Sequence, residues 1–171
     1  MVHVDVDTNF PLIRYLDGVN ANLRPHPIRV TGVEEVTEDF HARFLAERRT
    51  YSYTLYNRRQ IDPLLINRAG LFRTILDWQK IEEAITHIPL GENDWTSFRS
   101  AECQAKHPNV YLYEISLEKV DDYTYRFHIS ANRFLHHMVR TIVGTLLEIG
   151  EGKRSVNDFP RLLNAKDRTQ A

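Results

Sequence analysis

The sequence predicts an α/β fold built on a mainly antiparallel sheet, and three observations carry that prediction. YSYTLYN, residues 51–57, alternates as a strand does. A helical pattern from about Asp77 to Ile88 follows it. VYLYEISLEKV and YTYRFHIS then flank Asp121-Asp122 as a β-hairpin, ahead of a second helical stretch. Strand, helix, strand, strand, helix is the split βαβ, or ferredoxin-like, order lacking its last strand.

Taken in order, VHVDVD at residues 2–7 alternates apolar and polar and predicts a half-buried strand. PLIRYLDGVNANLRPHPIRV predicts a short helix ended by Asp17-Gly18, then a proline-bounded loop. In 51–57, Tyr51, Tyr53 and Leu55 share a face. The helix carries Ile81, Ala84, Ile85 and Ile88, and Pro89 ends it. In the hairpin, Tyr111, Tyr113, Ile115 and Leu117 form one apolar row, and Tyr123, Tyr125, Phe127 and Ile129 the other. The last strand of this fold usually pairs with the first, and LLNAKDRTQA supplies none, so YSYTLYN is expected to present an open edge.

The stretch SANRFLHHMVRTIVG, residues 130–144, reads as the opening of the final helix with Asn132 as its N-cap. On a wheel of about 100° per residue, Leu135, Val139, Ile142 and Leu146 centre the core stripe. Arg133, His137, Arg140 and Gly144 lie opposite, with His136 one turn before Arg140. Glycine costs helix stability relative to alanine, so Gly144 marks a place where another backbone or a bulky ligand comes close to Arg140. Arginine rarely enters an interior unpaired. Two readings stay open from these residues alone: a surface arginine beside tolerated histidines, or a guanidinium placed to hold a partner.

Composition narrows the class. The 171 residues are 42 % hydrophobic and 26 % charged, the balance of an ordinary globular domain. With no run of about 18 apolar residues and no apolar core in MVHVDVDTNF, neither a membrane span nor a signal peptide is expected, and the protein is expected to be cytoplasmic. Cys103 stands alone, which excludes an internal disulfide and an all-cysteine zinc site. The net charge of −1 hides an uneven distribution: residues 1–40 carry −4, whereas 41–73 carry +5, with seven arginines against Glu47 and Asp62. Such a segment is either a solvated face or a grip for phosphates.

No metal site is expected. His136 and His137 point about 100° apart on a helix, and histidines 3, 26, 41, 87, 107 and 128 lack ligand spacing. No G-x-S-x-G, glycine-rich phosphate loop or Cys/His couple occurs, and the carboxylates are scattered. The remaining signals are aromatic and cationic: FHARF at 40–44, RRTYSY at 48–53 and TSFR at 96–99. An RNA surface that stacks bases and grips phosphates requires such residues, although core tyrosines capped by surface arginines would look the same.

FHARFLAERRTYSYTLYN, GENDWTSFRSAECQAKHP, ISANRFLHHMVRTIVGTLLEIGEG and LLNAKDRT together resemble the C-terminal half of the tRNA pseudouridine synthase A (TruA) family, in order over residues 18–169. The resemblance implies isomerisation of uridine to pseudouridine in the anticodon stem-loop of tRNA, without cofactor, by a homodimer of the pseudouridine synthase fold. It implies that Tyr51 packs against the target base and that Arg140 pairs with the catalytic aspartate. It also implies RNA contacts from Arg43, Arg49, Arg99, Lys106, Asn132, Arg133 and His136. Residues 1–37 then read as a remnant of the N-terminal half, and 38–171 as the C-terminal ferredoxin-like half.

The sequence departs from the family in one decisive place. The nucleophile's G-R-T-D-A-G-V-H motif is not among these residues, and Asp5 and Asp7 lack its Arg-Thr context. His107 stands where the family more often has a small polar residue. The chain is expected to be inactive by itself, and the rival reading is a non-catalytic RNA-binding or assembly module.

Overall fold

The computed structural model describes residues 1–60 and 62–171, divided between two units, Met1–Ala46 and Glu47–Ala171. In the first unit, helix α1 spans Leu12–Asn22 and buries none of its residues. It runs through Asp17-Gly18, where the sequence predicts its end; one glycine costs about 1 kcal/mol relative to alanine, which a helix tolerates. Asn20 fastens the following loop, donating to the Val30 carbonyl and accepting from its amide, each at 2.9 Å. Residues 2–7 form no strand. Alternation stabilises a strand only when a neighbour pairs with it, and no described residue does so here.

The second unit is a five-stranded sheet in the order β2-β1-β5-β4-β3. Strand β1 spans Arg49–Asn57, β2 Gly70–Phe72, β3 Gly91–Asp94, β4 Asn109–Lys119 and β5 Thr124–Ala131. β1–β5, β5–β4 and β4–β3 pair antiparallel, so β1, β5 and β4 form the expected split βαβ. Two short strands were not evident from the sequence. β3 extends the sheet beyond β4, and β2 pairs parallel with Leu55–Asn57. The edge of β1 is therefore covered over its last three residues rather than open throughout, and among the described residues no strand pairs with 50–54 on that side.

Helices α2 (Trp78–Thr86), α3 (Met138–Gly150) and α4 (Asp158–Ala165) complete the unit. Asp77 caps α2 by accepting from the Lys80 amide at 3.2 Å. Ile81, Ala84 and Ile88 are buried, as the 3.6 period requires. One continuous core joins them to Leu55, Val110, Leu112, Phe127, Ile129, Ile142, Leu146 and Phe159. Trp78 lies parallel to Tyr125, with centroids 3.5 Å apart.

One helix expectation needs correction. α3 begins at Met138, not after Asn132: His137 has φ 61°, a left-handed conformation that no helix can continue through. Asn132 instead extends the sheet, its amide donating to the Tyr111 carbonyl at 3.0 Å and its Oδ1 accepting from the Tyr111 amide at 3.0 Å. The closely packed glycine is Gly150. A Cβ there would lie 2.6 Å from Ile81 Cδ1, whereas a Cβ on Gly144 meets nothing within 4 Å among the described residues.

The hairpin also differs from its simple alternation. A β-bulge between Leu112 and Glu114 shifts the phase of β4. Val110 and Leu112 face the core before it, and Ile115 and Leu117 pack against the core after it. Tyr111 is 46 % exposed, and Tyr113 is outside the core cluster.

Candidate functional site

Tyr51 and Arg140 approach the same connector, residues 132–137, from opposite ends. On β1, Tyr51 follows the alternation of Tyr53 and Leu55 but reaches past the core and stays 52 % exposed. Its ring meets Phe134 edge-on, with centroids 5.1 Å apart. Phe134 lies in the connector ahead of α3, and nothing in its sequence context distinguishes a tyrosine's neighbour from a core residue.

Arg140 sits in the first turn of α3 and is exposed. Its Nη1 lies 3.5 Å from His137 Nε2, and no carboxylate among the described residues pairs with it. Glu148, two turns along, is taken by Arg154. His137, Arg140, Thr141, Gly144, Thr145, Glu148 and Ala171 line a shallow concavity. A helix N-terminus concentrates unpaired amides and partial positive charge, so a cation in the first turn is disfavoured by a few tenths to about 1 kcal/mol. Amides and guanidinium together favour an anion at this place.

The remaining residues assigned to RNA fall into distinct settings. Arg133 is half-buried and spends its fork on backbone carbonyls: Nε donates to Asn109 at 3.0 Å, and Nη2 to His107 and Asn109 at 2.6 Å each. Arg49 Nη1 donates to the Asn132 carbonyl at 2.6 Å. The ring of His136 stacks on His137 at 4.0 Å, while its carbonyl accepts from the Ser100 amide at 2.9 Å. Arg99 follows the 3₁₀ turn Thr96–Phe98 and is half-buried, and Lys106 is exposed on the next loop. Arg43 belongs to the first unit, its guanidinium 5.8 Å from the Phe44 ring centre. The loop after residue 99, the start of β1 and the start of α3 are thus tied to one connector, and those three segments carry Arg99, Lys106, Arg49, Tyr51 and Arg140.

Among the described residues no cluster of His, Cys, Asp and Glu could hold a metal ion. The opposite, open face of the sheet is polar. Glu118 accepts from His128 at 3.0 Å and from Arg126 at 3.3 Å, and these contacts, the His128 hydrogen bond foremost, hold its carboxyl below the ordinary glutamate range.

A split βαβ sheet packed on one face by helices, with an exposed tyrosine and an exposed arginine each meeting one connector, defines a protein of the ferredoxin-like class. Comparison with known proteins makes the assignment particular. A family model described as tRNA pseudouridine synthase matches residues 88–171. The whole chain is 42 % identical to tRNA pseudouridine synthase A of Hydrogenovibrio crunogenus and 43 % identical to those of Chromobacterium violaceum and Shewanella woodyi. The chain is thus similar to the tRNA pseudouridine synthase family, and it spans 64 % of the length of each of these relatives.

Proposed function

We propose that this chain is the RNA-binding and base-positioning part of a tRNA pseudouridine synthase. The carrying observation is Arg140: an exposed guanidinium in the first turn of α3, with no carboxylate partner among the described residues, just after the connector that also packs Tyr51. In this reading Tyr51 lies against the uracil, and Arg140 receives the nucleophilic aspartate. An arginine fork keeps such a carboxylate ionised and aimed. The aspartate bonds to C6 of the base or C1′ of the ribose, the C1′–N1 bond breaks and the uracil turns. A C1′–C5 bond then forms, the aspartate is released as a carboxylate, C5 gives its proton to solvent and N1 takes one up. Arg43, Arg49, Arg99, Lys106, Asn132, Arg133 and His136 form or shape the RNA surface, with residues 38–171 as the ferredoxin-like half. No cofactor takes part. We assign the complete enzyme to the cytoplasm, as a homodimer acting on the anticodon stem-loop of tRNA.

Tritium release from tRNA carrying [5-³H]uridine tests this, because re-forming the bond through C5 expels that hydrogen. The 171-residue chain alone should release none. The chain joined to the portions of the Chromobacterium violaceum relative that it does not span should release tritium, and Arg140→Ala in the fusion should abolish it. A folded fusion that binds tRNA yet releases no tritium would favour the non-catalytic RNA-binding module instead.

A further inference from the structure

We propose that the open face of the sheet carries a second RNA subsite, in which Tyr111 and Tyr113, with Arg48, stack an unpaired base. The inference rests on the RNA-binding reading above and adds a ligand position to it. The subsite lies away from Tyr51, because Thr50 alternates with Tyr51 along β1 and so projects from the other face, and Arg48, just before the strand, lies over Tyr113.

The bulge creates the platform. Val110 and Leu112 are fully buried, so Tyr111 turns outward and remains 46 % exposed. Tyr113, at the bulge itself, follows it, with ring centroids 5.1 Å apart at 45°. The Arg48 guanidinium carbon stands 4.4 Å from the Tyr113 ring centre, and the Tyr113 hydroxyl donates to the Glu47 carbonyl at 3.4 Å. Tyr111 is held at both backbone atoms by Asn132, so its ring leaves a fixed strand rather than a mobile loop.

The surroundings select the occupant. The next row on this face is Thr50 and Ser130, whose hydroxyls meet at 3.1 Å, with exposed Glu114 beside them. Beyond that, His128 and Arg126 are engaged by Glu118. An apolar helix laid here would bury hydroxyls and the charges of Arg48 and Glu114 without partners, which is costly. A nucleotide fits Arg48, the ring and the hydroxyls better: its base stacks on the exposed ring, its phosphate reaches Arg48 on the side away from Glu114, and its ribose hydroxyl meets the Ser/Thr row.

Fluorescence anisotropy of the 171-residue chain with a labelled hairpin RNA bearing an unpaired loop, and with a fully paired duplex of equal length, tests the subsite. Wild type should prefer the hairpin. Tyr111→Ala should weaken hairpin binding about tenfold, leave duplex binding alone and keep the same salt dependence, because stacking carries no charge. Tyr111→Phe should bind as wild type. Arg48→Gln leaves the strand untouched; it should weaken the hairpin and flatten the salt dependence by about one phosphate contact. Hairpin binding unchanged in both Tyr111→Ala and Arg48→Gln would overturn the subsite while the RNA-binding reading stands. Wild type that binds neither RNA at low salt would overturn both.

Discussion

Gly150 and Gly144 both lie on α3, and alanine at each should move stability in opposite directions. At Gly144 the added methyl meets no atom within 4 Å, so only the helix preference acts, worth about 0.8–1 kcal/mol in favour of alanine. At Gly150 it would lie 2.6 Å from Ile81 Cδ1, 2.9 Å from Ile81 Cγ1 and 3.2 Å from Leu76 Cδ2. Ile81 is fully buried and cannot swing aside into solvent. The helices cannot part freely either, because the Asp77 amide donates to the Gly150 carbonyl at 2.9 Å. Overpacking of this kind costs about 1–3 kcal/mol, which outweighs a propensity gain reduced at the helix end. Gly150→Ala should therefore destabilise by about 1–2 kcal/mol. Urea unfolding followed by tryptophan fluorescence reads the effect directly, since Trp78 and Trp95 both belong to the second unit. With a slope of about 1–3 kcal/mol/M, Gly144→Ala should raise the midpoint and Gly150→Ala lower it, each by roughly 0.3–1 M. A midpoint lowered by Gly144→Ala, with Gly150→Ala neutral, would refute the helix packing described here.

Two further outcomes follow from the same structure. Arg133→Ala should speed amide exchange across residues 106–109, because that loop loses three hydrogen bonds to its carbonyls; Arg133→Lys should not restore protection, since an ammonium cannot span the same acceptors. Full protection in the lysine variant would mean that charge, not the fork, holds the loop. Asp77→Ala should lower the urea midpoint by about a few tenths molar through loss of the α2 cap. The Lys80 amide, then the Lys80 side chain, holds the Asp77 carboxyl below the ordinary aspartate range. Its contribution is therefore present above the unfolded pKa and lost as pH falls through the lower folded one, so wild type and Asp77→Ala should converge in acid. A difference that persists unchanged below the folded value would refute the capping role.

What was legible in the sequence was whatever a single period determines. Ile81, Ala84 and Ile88 keep helical spacing, and Phe127 and Ile129 keep strand spacing, and all are buried. Reading failed where another element overrides the period. One inserted residue in β4 turned Tyr111 and Tyr113 outward, and alternation alone cannot register an insertion. β2, only three residues long, is defined by its parallel neighbour rather than by its own pattern. Gly144 leaves an open surface beside Arg140, whereas the helical glycine that meets another helix among the described residues is Gly150, and that contact is set by the partner helix rather than by the glycine's own context. At the site, Tyr51 and Arg140 could be singled out by resemblance, whereas the use of Arg133 as a clamp on 107–109 depends on a loop whose path the sequence does not specify.

The connector 132–137 explains why a strongly helical pattern is withheld for one more turn. Had the helix begun at Arg133, the His136 carbonyl would accept from the Arg140 amide, and the Ser100 amide would lose its acceptor. Asn132 would turn its side chain to cap that helix and release Tyr111. Each of these groups instead bonds outward: Asn132 to β4, its carbonyl to Arg49 on β1, Arg133 to the loop carbonyls, and His136 to Ser100. The left-handed His137 is where the local preference for helix gives way to these tertiary bonds, at a cost of about 1–2 kcal/mol for a non-glycine residue. One residue of strain thus fixes the start of α3, and with it the position of Arg140, relative to the strand that carries Tyr51.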